Sequence, residues 1–133
     1  MGSERKIRSR ITVPVIGFVH NTFEEGPLRR EDVKDVRSII EVYPAYREGL
    51  YRISEYEYLN VIFNFNRNKG YRLKGRTPHW GIRGVFACCS PYRPSTLGLT
   101  RVRFVKRRGN RLTVTGLDAL NNTPVVDIKP SVE

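Results

Sequence analysis

Two short stretches hold the residue types from which chemistry could be built, GVFACCSPYRPSTLGLT (residues 84–100) and LDALNNTPVVDIKP (residues 117–130). The first carries both cysteines of the chain, Cys88 and Cys89, side by side before a Ser-Pro-Tyr-Arg-Pro turn. A disulfide between neighbours closes almost no loop and does not persist in a reducing compartment. With two histidines in the whole chain and no CxxC spacing, a metal site is not expected. A reactive thiolate at Cys89, favoured by Arg83 and Arg93 nearby in sequence, would need a positioned base, and His20 and His79 are isolated. The pair therefore reads as two small, semi-apolar side chains at a strand end. In the second stretch Asp118 and Asp127 are almost the only acids of the carboxyl half. Asp127, set among cations, is expected in an ion pair, while a loop carboxylate with adjacent backbone groups suits a ribose or a cationic cofactor. No phosphate-cradling GxxxxGK[ST], dinucleotide GxGxxG, zinc-binding HExxH or nucleophile-elbow GxSxG is present.

Charge narrows the partners. The 133 residues include 24 Lys or Arg against 13 Asp or Glu, a net charge of +11. From Tyr58 to Leu117 there is no acid, yet this segment holds 13 basic residues interleaved with Phe63, Phe65, Tyr71, Trp80, Phe86, Tyr92 and Phe104. Such a field attracts polyanions, and its rings suit stacking on unpaired bases. Apolar runs are only a few residues long and the amino end lacks a secretory apolar centre, so no membrane association and a cytoplasmic location are expected.

These groups must be positioned by strands. Leu59, Val61, Phe63 and Phe65 alternate with Asn60, Asn64 and Asn66, predicting a half-buried strand over residues 58–66, with Ile62 interrupting the polar face. Residues 11–19, 38–43 and 84–88 read as further strands, being rich in β-branched and aromatic residues and bounded by Pro or Gly. Gly109 and Asn110 accept the backbone of a tight turn and predict a hairpin of residues 100–107 and 111–117. On its first strand Val102 and Phe104 face one way, and Arg101 and Arg103 the other. Residues 29–40 predict a short helix carrying Val33, Val36 and Ile40 on one face, and residues 48–56 one more helical turn. The whole predicts an all-β, small barrel-like single domain over residues 1–133, with short helical turns and no additional carboxyl-terminal domain.

The two motifs, in this order, resemble the TsaA-like (TrmO) family, whose pattern runs G-V-F-A-T-R-S-P-x-R-P-N-P-I-G-x-S/T and then L-D-x-x-D-G-T-P-V-x-D-I-K-P. VPVIGFVHNTF and VYPAYREGLYRISEYEYLNVIFNF fit the same family in order and spacing, so the resemblance covers nearly the whole chain. It implies a homodimeric β-barrel that uses S-adenosyl-L-methionine as cofactor and methylates N6 of threonylcarbamoyladenosine in tRNA. Carried onto this chain, the cofactor site would comprise Pro27, Leu28 and Arg29, then Asn66 and Arg67, then Cys88, Cys89 and Ser90, with Leu99 and the loop Asp118, Ala119, Leu120 and Asn121. Arg93, Arg101 and Arg103 are the candidate contacts to phosphates of tRNA or other RNA. No residue is identified as the acceptor of the N6 proton.

Departures from the pattern gather at that site. Cys88-Cys89 replaces Thr-Arg, Ser95-Thr96-Leu97 replaces Asn-Pro-Ile, Asn66-Arg67 replaces a frequent His-Gln, Tyr58 replaces a common His, and Asn121-Asn122 replaces Asp-Gly. A thiol cannot supply the fork of donors of an arginine. Ser90, Pro91, Arg93, Pro94, Gly98, Thr123, Pro124, Asp127, Lys129 and Pro130 are retained. Three readings follow: a methyltransferase acting on tRNA or another nucleic acid, a non-catalytic module of the same fold that binds S-adenosylmethionine or RNA, and a methyltransferase whose acceptor is a small molecule.

Overall fold

The computed structural model describes residues 9–65 and 70–132. Its strands are β1 (Gly17–His20), β2 (Arg37–Val42), β3 (Tyr58–Asn64), β4 (Lys74–Thr77), β5 (Gly81–Gly84), β6 (Leu97–Arg108), β7 (Arg111–Thr115) and β8 (Pro124–Pro130), with one helical turn, α1 (Arg30–Val33). Six of them close a barrel in the order β1-β2-β7-β6-β3-β8, and β4 pairs only with β5. The all-β, barrel-like expectation is met.

Alternation builds the interior. Leu59, Val61 and Phe63 of β3 point inward, facing Ile40 and Val42 of β2, Val102 of β6, Leu112 and Val114 of β7, and Val125 of β8, all essentially inaccessible to water. Gly98 of β6 pairs with Phe63 of β3, and a Cβ there would lie 2.7 Å from the Phe63 ring. Only glycine leaves room for that ring. The hairpin of β6 and β7 turns at Gly109, φ 63°, and Asn110, with Val102 buried, Phe104 half-buried, and Arg101 and Arg103 exposed as the alternation requires.

Every paired neighbour in the barrel is antiparallel. The connections β1–β2 (residues 21–36), β3–β6 (65–96) and β7–β8 (116–123) therefore all emerge at one rim. The two others, residues 43–57 and the 109–110 turn, lie at the opposite rim. This closure brings distant parts of the chain to one place.

Several local expectations are corrected. Residues 11–19 do not form one strand: pairing with β2 covers Gly17–His20, and Ile11, Val13 and Val15 remain exposed. Residues 84–88 form a 3-10 turn at Val85–Ala87, because the chain leaves β5 and bends inward to bury Val85, whose N–H donates to Leu73 O at 2.9 Å. The helix expected over residues 29–40 is reduced to Arg30–Val33, since Arg37–Val42 joins the barrel and takes Ile40 with it. Residues 44–50 and 53–55 form 3-10 turns where one helical turn was expected. β3 ends at Asn64, and β7 ends at Thr115, short of Leu117.

Candidate cofactor and nucleic-acid site

The β7–β8 connection is shaped by burial and by hydrogen bonds to the β1–β2 connection. Leu117 and Ala119 are buried, which turns the intervening Asp118 outward. Asn21 ties the two loops together: its backbone N–H donates to Asn121 Oδ1 at 3.0 Å, and its Nδ2 donates to Ala119 O and to Ser38 Oγ, each at 2.9 Å. Asn121 returns a bond from its N–H to Phe23 O at 2.7 Å, and its Nδ2 reaches Glu24 Oε2 at 3.1 Å. Asn122 holds φ at 70°, a region asparagine tolerates better than most residues, and donates its N–H to Val19 O. Asp118 itself accepts from Thr100 Oγ1 of β6, one residue beyond Leu99. Leu99 is 68% exposed. By the alternation of β6, Thr100 and the carboxylate it orients lie toward the barrel mouth, while Leu99 shares the outer face with Arg101 and Arg103.

The other expected cofactor residues lie on the connections of the same rim. Pro27, Leu28 and Arg29 precede α1, where the Arg29 N–H donates to Asp32 Oδ2 at 2.9 Å. That bond, with the guanidinium of Arg29 beside it, holds the Asp32 carboxyl below its ordinary pKa. Asn66 and Arg67 lie outside the described residues. Cys88, Cys89 and Ser90 form a turn organised by Arg93, whose Nη1 donates to Cys88 O at 2.8 Å and Ser90 O at 3.2 Å. Both thiols are free, and the half-buried Cys88 Sγ lies 3.7 Å from Val85 O.

The three arginines expected to meet phosphates are not gathered into one patch. Arg93 is directed into its own turn. Arg101 stacks on the Tyr58 ring, with its guanidinium carbon 3.9 Å from the ring centroid, and its Nε donates to Ser131 Oγ at 2.9 Å. Arg103 pairs with Glu57 at 3.1 Å. The last two therefore stand on the outer wall of the barrel. The expected ion pair of Asp127 is present, to Lys129 Nζ at 3.0 Å.

Arg93 carries a testable consequence. Arg93→Ala removes two charge-assisted bonds, each worth about 1.5–3 kcal/mol when buried and less at this half-exposed turn. Amide hydrogen exchange at residues 88–90 is expected to accelerate roughly tenfold while β3 and β7 keep their protection. Unchanged exchange would show that the turn holds itself.

Sequence reasoning missed Asn21 and Thr100. Neither is a predicted site residue, although Asn21 sits within the VPVIGFVHNTF stretch and Thr100 is the Ser/Thr that closes the first motif. It also missed a cavity of about 450 Å³ between the β4–β5 hairpin and the Cys88–Ser90 turn, lined by Arg72, Arg76, His79, Trp80, Arg83 and Tyr92 among others. The lining includes Cys88, Cys89 and Ser90 but none of residues 27–29, 99 or 118–121. The turn therefore lines the cationic cleft, and the Asp118 loop does not.

A family model, the tRNA-methyltransferase O N-terminal domain, matches residues 15–133. A protein of Pyrococcus abyssi named "Probable S-adenosyl-L-methionine-binding protein" is 38% identical over 124 residues, covering 88% of this chain and 66% of its own length. An Archaeoglobus fulgidus protein named "S-adenosyl-L-methionine-binding protein" is 34% identical over 118 residues, covering 86% of this chain and 84% of that protein. The crystal structure of TrmO from Pseudomonas aeruginosa superposes with a TM-score of 0.76 at 28% identity, over 93% of this chain and 55% of that one. The chain thus spans about half of the TrmO chain and about two thirds of the Pyrococcus protein. With fold, motifs and domain model in agreement over nearly its whole length, the chain belongs to the TrmO (TsaA-like) family.

Proposed function

We propose that this protein is an S-adenosyl-L-methionine-dependent methyltransferase acting on adenine N6 in tRNA, with threonylcarbamoyladenosine as the acceptor nucleoside. The observation that carries the reading is the barrel mouth, where Thr100 orients the exposed Asp118 on a loop that Asn21 fixes. S-adenosylmethionine combines a sulfonium and an ammonium with a ribose and an apolar edge of adenine. Asp118 suits its hydroxyl or cationic groups, and the backbone of residues 118–121, fixed by Asn21, offers hydrogen bonds to the purine edge. The arginine-lined cleft fits it poorly, because Arg72, Arg76 and Arg83, which have no carboxylate partner among the described residues, repel a sulfonium. When bound, the cofactor supplies an electrophilic methyl group. The protein supplies position, holding the acceptor nitrogen in line and excluding water.

Relatives support the substrate. A Mus musculus protein named "tRNA (adenine(37)-N6)-methyltransferase" is 33% identical over 88 residues, covering 63% of this chain and 20% of its own length. The net charge of +11 complements a tRNA. A cytoplasmic location and a homodimer complete the reading, the exposed Leu97 and Leu99 beside the mouth offering apolar surface to a second copy.

The test is methyl transfer from labelled S-adenosylmethionine to tRNA that carries threonylcarbamoyladenosine. Label recovered in that nucleoside is expected. Cofactor binding without any transfer would overturn catalysis in favour of a binding module, the reading to which Cys89, standing where the family pattern has arginine, lends weight.

A further inference from the structure

The cleft beside the Cys88–Ser90 turn has a built character that the cofactor does not explain. Its upper wall is the β4–β5 hairpin, whose tip is fixed by Thr77: Oγ1 donates to Gly81 O at 2.7 Å and accepts from the Trp80 N–H at 3.1 Å. Gly81 takes φ 73°, which sets Trp80 at the head of β5. The indole packs edge-on to His79, with centroids 6.4 Å apart, and carries the Arg83 guanidinium carbon 5.2 Å from its ring centre. Even so, Trp80 remains 65% exposed.

Around it stand Arg72, Arg76 and Arg83, with Tyr92 on the opposing turn. No acid lines this cleft, and among the described residues none of these three arginines is ion-paired. Other described arginines also lack a carboxylate partner, Arg29, Arg52 and Arg103 being the ones that pair, so what distinguishes the cleft is that three of them gather around an exposed indole. A solvated cationic surface needs no exposed indole, and an apolar ligand needs no unpaired guanidinium groups. Together they match a ligand that alternates flat rings with phosphates.

We propose that this cleft binds unpaired nucleotides of RNA, a base stacking on Trp80 and neighbouring phosphates held by Arg72, Arg76 and Arg83. The assignment rests on the tRNA reading above and deepens it. The Cys88–Ser90 turn lines the cleft and belongs to the β3–β6 connection, which leaves the barrel at the rim that carries Asp118, so the cleft would grip nucleotides flanking the acceptor.

Trp80 is the single tryptophan of the chain, so its fluorescence reports on this cleft alone. A single-stranded RNA of about 12 nucleotides is expected to quench that fluorescence saturably, whereas the same RNA annealed to its complement quenches weakly because its bases are already stacked. By fluorescence anisotropy of labelled RNA, Trp80→Ala is expected to weaken binding about tenfold and Trp80→Phe to recover much of it. Arg76→Ala combined with Arg83→Ala is expected to lower the slope of log affinity against log salt by about 1.4. Trp80 is exposed at a turn, so Trp80→Ala should keep the wild-type unfolding temperature and affinity for S-adenosylmethionine.

RNA that does not bind, that binds without quenching, or that binds Trp80→Ala with unchanged affinity would overturn the cleft assignment. Methyl transfer separates the two proposals. Transfer without quenching would overturn the cleft and leave the methyltransferase reading, and quenching without transfer would do the reverse.

Discussion

Phe63→Ala is expected to lower the unfolding free energy by about 3–5 kcal/mol, the largest effect of any single truncation in the barrel. Phe63 is 1% exposed and has the largest side chain among the fully buried residues. Its ring meets Phe65 edge-on, with centroids 5.2 Å apart, and fills the space that Gly98 leaves open. The surrounding Val61, Val102 and Val125 sit on paired strands and cannot collapse into the vacated volume without breaking register. Thermal denaturation should show a midpoint lowered by roughly 10–20 °C. A shift below about 3 °C would mean that the ring is not the keystone of this end of the barrel. Because Phe63 and Gly98 lie just inside the rim that carries Leu99, the same variant should also loosen the mouth of the site.

Asp118→Ala is expected to weaken S-adenosylmethionine binding by about 10- to 100-fold with little change in stability. The carboxylate is exposed, and its protein partner is the Thr100 hydroxyl, so its removal leaves no buried group unsatisfied. What disappears is a charged acceptor aimed into the mouth. Asp118→Asn keeps the shape and one acceptor oxygen but loses the charge, and should fall between wild type and alanine. Calorimetric titration of the three proteins reads the order directly. Equal affinities would remove Asp118 from the site.

How much of this was legible in the sequence depends on whether a feature is local. The alternation in β3 and the Gly109-Asn110 hairpin need only neighbours in sequence, and both formed with shifted ends, β3 stopping at Asn64, β6 starting at Leu97 and β7 stopping at Thr115. The apolar alternation of residues 11–19 looks no different, but a strand exists only where a partner is available, and β2 reaches no further than Gly17. The β4–β5 hairpin went unread for the opposite reason. Its strands, KGRT and GIRG, bury no apolar face, so they carry no two-residue hydrophobic period.

The site divides in the same way. Asp118 and the Cys88-Cys89 turn were visible because motifs marked them, and the resemblance to a family turned those motifs into a cofactor site. That Thr100 holds Asp118, or that Asn21 fastens one loop to another 100 residues away, depends on barrel closure, which no short stretch encodes. Arg93 was selected as a phosphate contact for its charge, and the fold directs its Nη1 onto Cys88 O and Ser90 O instead. Arg72, Arg76 and Arg83 lay in the same acid-free segment, and only the hairpin reveals that they share a cleft with Trp80.

The methyltransferase reading requires the barrel mouth to hold S-adenosylmethionine even though Cys89 replaces the arginine of the family pattern. Calorimetric titration of the wild-type protein with S-adenosylmethionine tests this most directly. The account predicts saturable binding with a dissociation constant in the micromolar range or tighter. No heat and no thermal shift at millimolar cofactor would contradict it.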